Sequence, residues 1–312
     1  MGYEITRQIR DCGGRRESFF ALAQKVFGLS FREWFENGFW TDRYIPYAIC
    51  EGDRVVANVA VNRMQFESQG TVRNYVQLGT VMTDPEYRGR GFARQLMETV
   101  IREWEDRCDG IYLFANSDVL DFYPRFGFKE SLEYEWRMVR KDSQQDLDSG
   151  REAPGPVFRK MDLRKQEDMA RFCRCLDAGS PFSALQMRDN LGLVMFYCGD
   201  SLKDNIFYFN GQQDGRTCGM VCVGEQEGDT FFCLDFFGRE KISLKEAAEA
   251  AAPAGTRKIV LGFSPHREQL EMFKSSWEME CVPQKSDVTL FVRGGHDWPD
   301  SRRLRFPELS HT

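Results

Sequence analysis

Histidine is scarce in this chain of 312 residues: three are present, at positions 266, 296 and 311. Ten cysteines occur, yet no two form a Cys-x-x-Cys pair; Cys173 and Cys175 are separated by one residue, and Cys218 and Cys222 lie four apart. These gaps remove the usual zinc spacings, so no metal is expected. Cys218, Cys222 and Cys233 sit in apolar runs, where a reduced thiol behaves as a small buried hydrophobe. A signal peptide and a long apolar span are also missing, so no membrane partner is expected and a reducing cytoplasm is the expected location. An excess of basic residues is missing too, with 42 Lys and Arg against 48 Asp and Glu, a net charge of −6 and a pI near 5.4. That balance excludes a broad nucleic-acid-binding face and mildly favours a cationic acceptor such as an amine.

Two nucleotide-binding loops are absent as well. No Gly-x-x-x-x-Gly-Lys-[Ser/Thr] occurs, and no Gly-x-Gly-x-x-Gly is followed by an acidic residue about twenty positions on. What is present is a chain with 42% hydrophobic and 13% aromatic residues, the composition of a packed globular protein long enough for two domains.

The most informative stretch is Gly79 to Arg94. A β-rich run from Tyr75 to Thr83 ends at Asp84-Pro85, a loop with two glycines and two arginines follows, and an amphipathic helix begins near Phe92. Strand, turn and helix N-terminus in this order make an anion site, because first-turn amides and the positive dipole end face the loop. Gly89 and Gly91 let the backbone bend and a phosphate approach; Arg88 and Arg90 add donors suited to a pyrophosphate.

The segment Arg88-Gly89-Arg90-Gly91-Phe92-Ala93 resembles motif A, [Arg/Gln]-x-x-Gly-x-[Gly/Ala], of the GCN5-related N-acetyltransferases, the GNAT family. A second match lies downstream. Ile111 to Phe128 resembles the family's strand, Asn, helix with Tyr seven residues on, then Gly-Phe, with Asn116, Tyr123, Gly127 and Phe128 in place. The resemblance covers about residues 3–139. It implies that acetyl-CoA binds as co-substrate where two parallel strands splay apart. Val81, Met82 and Thr83 would pair with the pantetheine arm, and an amide near Val81 or Met82 would hold the thioester oxyanion. Arg88, Gly89, Arg90, Gly91, Phe92, Ala93 and Arg94 would wrap the pyrophosphate, Asn116 would contact the cofactor, and Tyr123 would protonate the departing thiolate. Many members place a glutamate base eleven residues before the motif; here that position is Gln77, which cannot take a proton at neutral pH. Glu33, Glu36, Glu133 and Glu135 are the acidic candidates to replace it, each also readable as a surface charge.

Along the chain, a first strand over residues 1–9, a helix over 15–28 and an aromatic segment from Phe31 to Trp40 precede two strands joined at Glu51-Gly52-Asp53. In the family this region covers the acceptor, so Trp34, Phe35, Phe39 and Trp40 are candidates to line a pocket or to pack in the core. A helix over 92–107 and a strand over 128–139 complete the first unit. Residues 140–156 are polar and read as a linker. The element order then restarts: a strand at Val157–Met161, a helix over Leu163–Ala178 capped by Asp162, strands at 206–209, 217–223 and 230–237, then Phe237-Gly238-Arg239, a helix, and a strand over 258–263. A helix over 267–277 and a strand at 288–292 close the pattern. The second unit resembles a degenerate GNAT-like lobe, without motif A and with Phe273 about where Tyr123 stood.

The expected fold is α/β (α+β), with two lobes, each a mixed, mostly antiparallel sheet flanked by helices with a splayed parallel pair. The expected domains are 1–140, a linker 141–156, a degenerate domain 157–293 and an irregular tail 294–312. In some multi-lobed members the C-terminal carboxylate enters the active site as a base; no sequence feature points Thr312 to that role. The expected function is acetyl transfer to a primary amine of a small molecule or peptide. The alternatives are a non-catalytic acyl-CoA-binding regulatory module and, ranking last, an aminoacyl or longer-acyl transferase. The acceptor and the oligomeric state are not legible in the sequence.

Overall fold

The computed structural model describes residues 2–141, 157–209, 219–239, 242–270, 277–295 and 303–312. Most of the expected linker, Cys218 and Phe273 lie outside these residues.

The first half runs β1 (Glu4–Thr6), α1 (Gly13–Phe27), α2 (Arg32–Glu36), β2 (Tyr44–Glu51), β3 (Arg54–Ser68), β4 (Thr71–Thr83), α3 (Phe92–Trp104), β5 (Gly110–Asn116), β6 (Lys129–Ser131) and β7 (Tyr134–Arg140). The second half runs β8 (Arg159–Lys160), α4 (Gln166–Ala178), β9 (Gln186–Arg188), α5 (Leu191–Cys198), β10 (Ile206–Phe209), β11 (Met220–Glu227), β12 (Thr230–Gly238), α6 (Leu244–Ala251), β13 (Lys258–Leu261), α7 (Arg267–Leu270), β14 (Trp277–Pro283) and β15 (Val288–Arg293). Two sheets result. One has the order β1-β2-β3-β4-β5-β15-β6, with β9 also on β3; the other is β14-β7-β13-β12-β11-β10-β8.

The sheets exchange strands. β15, late in the chain, pairs antiparallel with β5 and β6 of the first sheet, while β7 pairs with β13 and β14 of the second. The expected division of the chain at residue 140 therefore does not follow the sheets, and the single expected strand over 128–139 is two strands in different sheets. Three further differences have local causes. The stretch from Trp277 is a strand rather than the end of a helix. Asp162 does not cap α4; its carboxylate accepts from the Arg164 amide, and Lys165 holds the cap position. The segment after Asn116 forms two short 3-10 turns, Ser117–Val119 and Tyr123–Phe126, because Pro124 lacks the amide hydrogen a continued helix needs.

Burial follows the sequence periodicities. On one face of the first sheet, α3 buries Leu96, Met97, Val100 and Ile101 against Val59, Val61, Val76 and Leu113. The opposite face carries Phe19 and Phe20 from α1, Phe31 just before α2, Trp34 from α2 and Trp40 from the loop after it. A third cluster, with Met64, Phe66, Tyr112, Leu193 and Phe306, joins the halves of the chain.

Each sheet contains one parallel pair that splays. β4 and β5 are paired from Tyr75↔Gly110 to Gln77↔Tyr112, and β12 and β13 from Thr230↔Lys258 to Cys233↔Leu261. In the second sheet the opening is bridged by the chain itself. Gly238 donates to Gly179 O on the β12 side, while beyond β13 Ala184 donates to Ser264 O and His266 to Phe182 O. Ser180 and Phe182 are buried there, Phe182 against Phe236 at 5.3 Å between centroids. Asp235, two residues past the last parallel pair, is also buried and accepts from Ser180 Oγ at 2.5 Å and from the Phe236 amide at 2.8 Å.

Burial pushes the Asp235 carboxyl up to about 7, against the opposing pull of the two donors. A carboxyl raised on folding contributes stability below its ordinary value near 3.8, and that stability is lost as pH rises through about 7. Glu133 is raised to about 7 by the same cause. Asp235→Asn, which keeps the acceptor oxygen, should therefore shrink the fall in stability between pH 5 and pH 8 by on the order of a few kcal/mol, without abolishing it. Thermal unfolding at both pH values checks this; an unchanged gap would contradict it.

Candidate active site

The site is built where β4 leaves β5. β4 carries a bulge: the register skips so that Val59 alone stands opposite Thr80 and Val81. Thr80 has φ +48°, a left-handed conformation for a β-branched residue, and two side-chain hydrogen bonds hold it. Asn58 Nδ2 donates to Thr80 O at 2.9 Å, and the Tyr44 hydroxyl donates to Thr80 Oγ1 at 2.9 Å. The neighbouring Gly79 lacks a Cβ and so leaves room for Thr312. A bulge leaves a residue out of the ladder, here beside the point where β4 parts from β5. Sequence reading missed Thr80, Tyr44 and Asn58; a glycine inside a strand run was the available signal. Val81 and Thr83 are half-buried, and the Met82 side chain belongs to the core.

The loop after β4 begins on a fixed anchor. Burial raises the Asp84 carboxyl, but donors from Lys25 at 2.8 Å, Arg54 at 3.0 Å and the Glu86 amide at 3.2 Å outweigh it and hold the group below its ordinary range. Gly89 and Gly91 have φ of +77° and +80°, and nothing lies within 4 Å of a Cβ built on either. Glycine is required there for the left-handed backbone, and the space beside it stays open. Gly91 is the N-cap of the 13-residue α3; no side chain caps it and no acid stands in the first turn. The first amides of α3 are thus left for an anion.

The arginines divide. Arg90 donates to the Tyr3 hydroxyl at 2.8 Å and lies 4.7 Å over the Tyr87 ring, so it is engaged in ordering the loop. The side chains of Arg88 and Arg94 are exposed and form no ion pair or hydrogen bond among the described residues, while the Arg88 amide donates to Pro85 O at 3.4 Å. The Phe92 side chain is buried against Tyr3 at 4.9 Å, which leaves its amide as the group facing the loop; Ala93 is half-buried.

Asn116 ends β5, is exposed, and its side chain caps nothing, so a structural role as a cap does not account for it. Tyr123 is buried on its 3-10 turn, with Phe122, Phe128 and Phe291 around the ring; Phe291 comes from the exchanged β15. Burial pushes the Tyr123 hydroxyl up to about 12, so it carries its proton at neutral pH, and it has no hydrogen-bond partner among the described residues.

Gln77 is fully buried and faces the end of the chain. With its amide turned to suit the backbone groups around it, Gln77 donates to Ser310 O at 2.7 Å and accepts from Thr312 N at 2.9 Å and Thr312 Oγ1 at 3.2 Å. The segment beyond residue 303, expected to be an irregular extension, thus places Ser310 and Thr312 against β4 of the first lobe. His311 stacks on Phe114 of β5 at 3.8 Å, and Phe306 stacks on Tyr112 at 4.1 Å. Of the acidic candidates, the buried Glu133 lies near enough to add to the rise that burial causes in the Tyr112 hydroxyl, which is 3.3 Å from the Gln77 amide. Glu33 and Glu36 are exposed on α2, Glu135 pairs with Arg137, and Glu133 accepts from the Phe306 amide at 2.7 Å. Of the aromatic candidates, Trp34 and Phe39 line an inter-lobe cleft of about 700 Å3, while Trp40 is core and Phe35 lies half-buried under Arg16.

Residues 14–131 match the family model described as an acetyltransferase (GNAT) domain. That stretch is similar to a GNAT acetyltransferase domain. A stretch of 54 residues is 44% identical to a GCN5-related N-acetyltransferase 2, chloroplastic, of Arabidopsis thaliana; it covers 17% of this chain and 21% of that protein's length. Among solved structures, a probable N-acyltransferase from Enterococcus faecalis superposes with a TM-score of 0.61 at 13% identity, over 94% of this chain and 72% of that one. Eis1 from Mycobacterium abscessus superposes with a TM-score of 0.54 at 14% identity, over 93% and 73%. At these identities the superpositions establish fold, and they extend across both lobes. No helix among the described residues is long and apolar enough to cross a membrane.

Gly91→Ala should destabilise the chain by about 1–2 kcal/mol, the usual penalty for an L-residue in the left-handed region. Chemical denaturation measures it; no change would mean that the turn relaxes freely and is not a fixed anion loop.

Proposed function

We propose that the chain is an acetyl-CoA-dependent N-acetyltransferase acting on a primary amine of a small molecule or peptide. The observation that carries this is the splay of β4 from β5 beside an uncapped α3, with open space at Gly89 and Gly91. The residues fit the cofactor. The first-turn amides of α3 with Arg88 and Arg94 would hold the pyrophosphate, and the strand from Val81 to Thr83 with Asn116 would hold the pantetheine arm. Bound there, acetyl-CoA supplies the activated acetyl group. The bulge at Thr80–Val81 would present an amide to the developing oxyanion. Tyr123, kept protonated by burial, would give its proton to the departing sulfur.

The acceptor is assigned to the side of the cleft facing α2. The inter-lobe cleft has Trp34, Phe39 and Phe196 as apolar surface and charges of both signs at its rim, Glu33 and Lys203 among them. Trp34 packs on Tyr44 at 5.5 Å, and Tyr44 in turn holds Thr80, so this cleft and the bulge share a wall.

One observation favours a second reading, a non-catalytic acyl-CoA-binding module: the strand position of the usual base is a glutamine already engaged with the tail. The two readings separate on turnover. With acetyl-CoA and a panel of amines, transfer should be measurable, and Tyr123→Phe should lower kcat on the order of a hundredfold with acetyl-CoA affinity unchanged. Binding without transfer to any amine would favour the module; unchanged kcat in the variant would remove Tyr123 from the chemistry.

A further inference from the structure

We propose that Gln77 is a positioning residue: it clamps Ser310–Thr312 against β4, so that the transfer cleft is complete only when this segment is docked. The inference rests on the acetyltransferase reading of the cleft and adds to it the reason for glutamine at this position.

The geometry is that of a side chain imitating a strand partner. The Gln77 amide donates to one backbone carbonyl, at Ser310, and accepts one backbone amide, at Thr312, with 2.7 and 2.9 Å separations. Tyr112 Oη lies 3.3 Å from the same amide group. Only a group with both a donor and an acceptor satisfies this pair. An ionised glutamate has no donor, and it would set a buried carboxylate against the Ser310 carbonyl with nothing to bridge them.

Gly79 provides an independent observation on the same strand. Residues two apart share a face, and Gly79 lies directly against Thr312. A Cβ built on Gly79 would stand 2.4 Å from Thr312 Oγ1, 3.0 Å from its Cβ and 3.3 Å from its carbonyl carbon. Gly79 is not among the residues with positive φ, so here glycine serves space rather than backbone conformation. Gln77 attracts the segment and Gly79 makes room for it.

The rest of the tail is also held by the second half of the chain. The Tyr197 hydroxyl donates to His311 O at 2.7 Å, Glu308 N donates to Gly262 O at 2.7 Å, and the buried Arg305 donates to Leu261 O at 3.3 Å and pairs with Glu308. Gln77 is therefore the last hold on a segment already guided to the cleft by the second lobe.

Hydrogen exchange over residues 306–312, read by mass spectrometry on the full chain without cofactor, tests the clamp directly. In the parent chain the Thr312 amide should be protected. Gln77→Glu and Gly79→Ala should each raise its exchange about tenfold or more, and Thr312→Gly added to Gly79→Ala should restore much of the protection by removing the two closest clashes. In turnover, Gln77→Glu should lower kcat with acetyl-CoA affinity unchanged, although it places a carboxylate where many relatives keep a base. Unchanged exchange in Gln77→Glu, or a higher kcat, would overturn the proposal. Failure of the chain to acetylate any amine, with the exchange pattern as expected, would count against the acetyltransferase reading and leave the clamp supported.

Discussion

Pairing of β15 with β5 is the constraint on which the other features depend. A central parallel pair can splay only if the strand that leaves its partner is secured elsewhere. Here β5 loses β4 beyond Tyr112 and keeps β15 on its other edge through Asn116. The same strand sends Phe291 under Tyr123, and the chain that follows it returns through Phe306 to Gln77. β7, given in exchange to the second sheet, ties the lobes together from the other direction. Neither lobe can be cut from the chain with its sheet intact.

The two splayed pairs meet different fates for reasons visible at single residues. In the first sheet the position two past the last parallel pair is Gly79; in the second it is Asp235. Asp235 is satisfied by Ser180 and fixes a buried crossing segment across the opening. Gly79 leaves room, and the loop after its strand ends on an uncapped helix. A buried, hydrogen-bonded crossing segment fills one opening, whereas in the other Thr312 lies against Gly79, beside the loop that ends on the uncapped α3.

What the sequence made legible was local. The strand, loop and helix around Arg88–Arg94, the Asn116–Tyr123 spacing and the hairpin at Glu51–Asp53 all rest on short-range periodicity and turn chemistry, whereas β9, α5 and β14 of the second half were not read. The strand exchange was hidden because pairings such as Val288↔Asn116 and Lys258↔Val139 join segments more than a hundred residues apart and leave no periodic trace. Both β6–β7 and β15 read correctly as strands while their partners could not be read at all. Gln77 was seen as a missing base; its partners, Ser310 and Thr312, lie at the far end of the chain. The bulge at Thr80 was partly legible, since Gly79 interrupts a strand, but its consequence for the amides needed the register with Val59.

The central claim is that one of the two clefts, the first, takes acetyl-CoA. Calorimetric titration of the full chain tests it most directly. The expected result is one equivalent bound per chain, with the heat abolished by Gly91→Glu, which sets a carboxylate at the helix N-terminus where the phosphates would lie. Two equivalents, binding that survives Gly91→Glu, or no binding at all would contradict it.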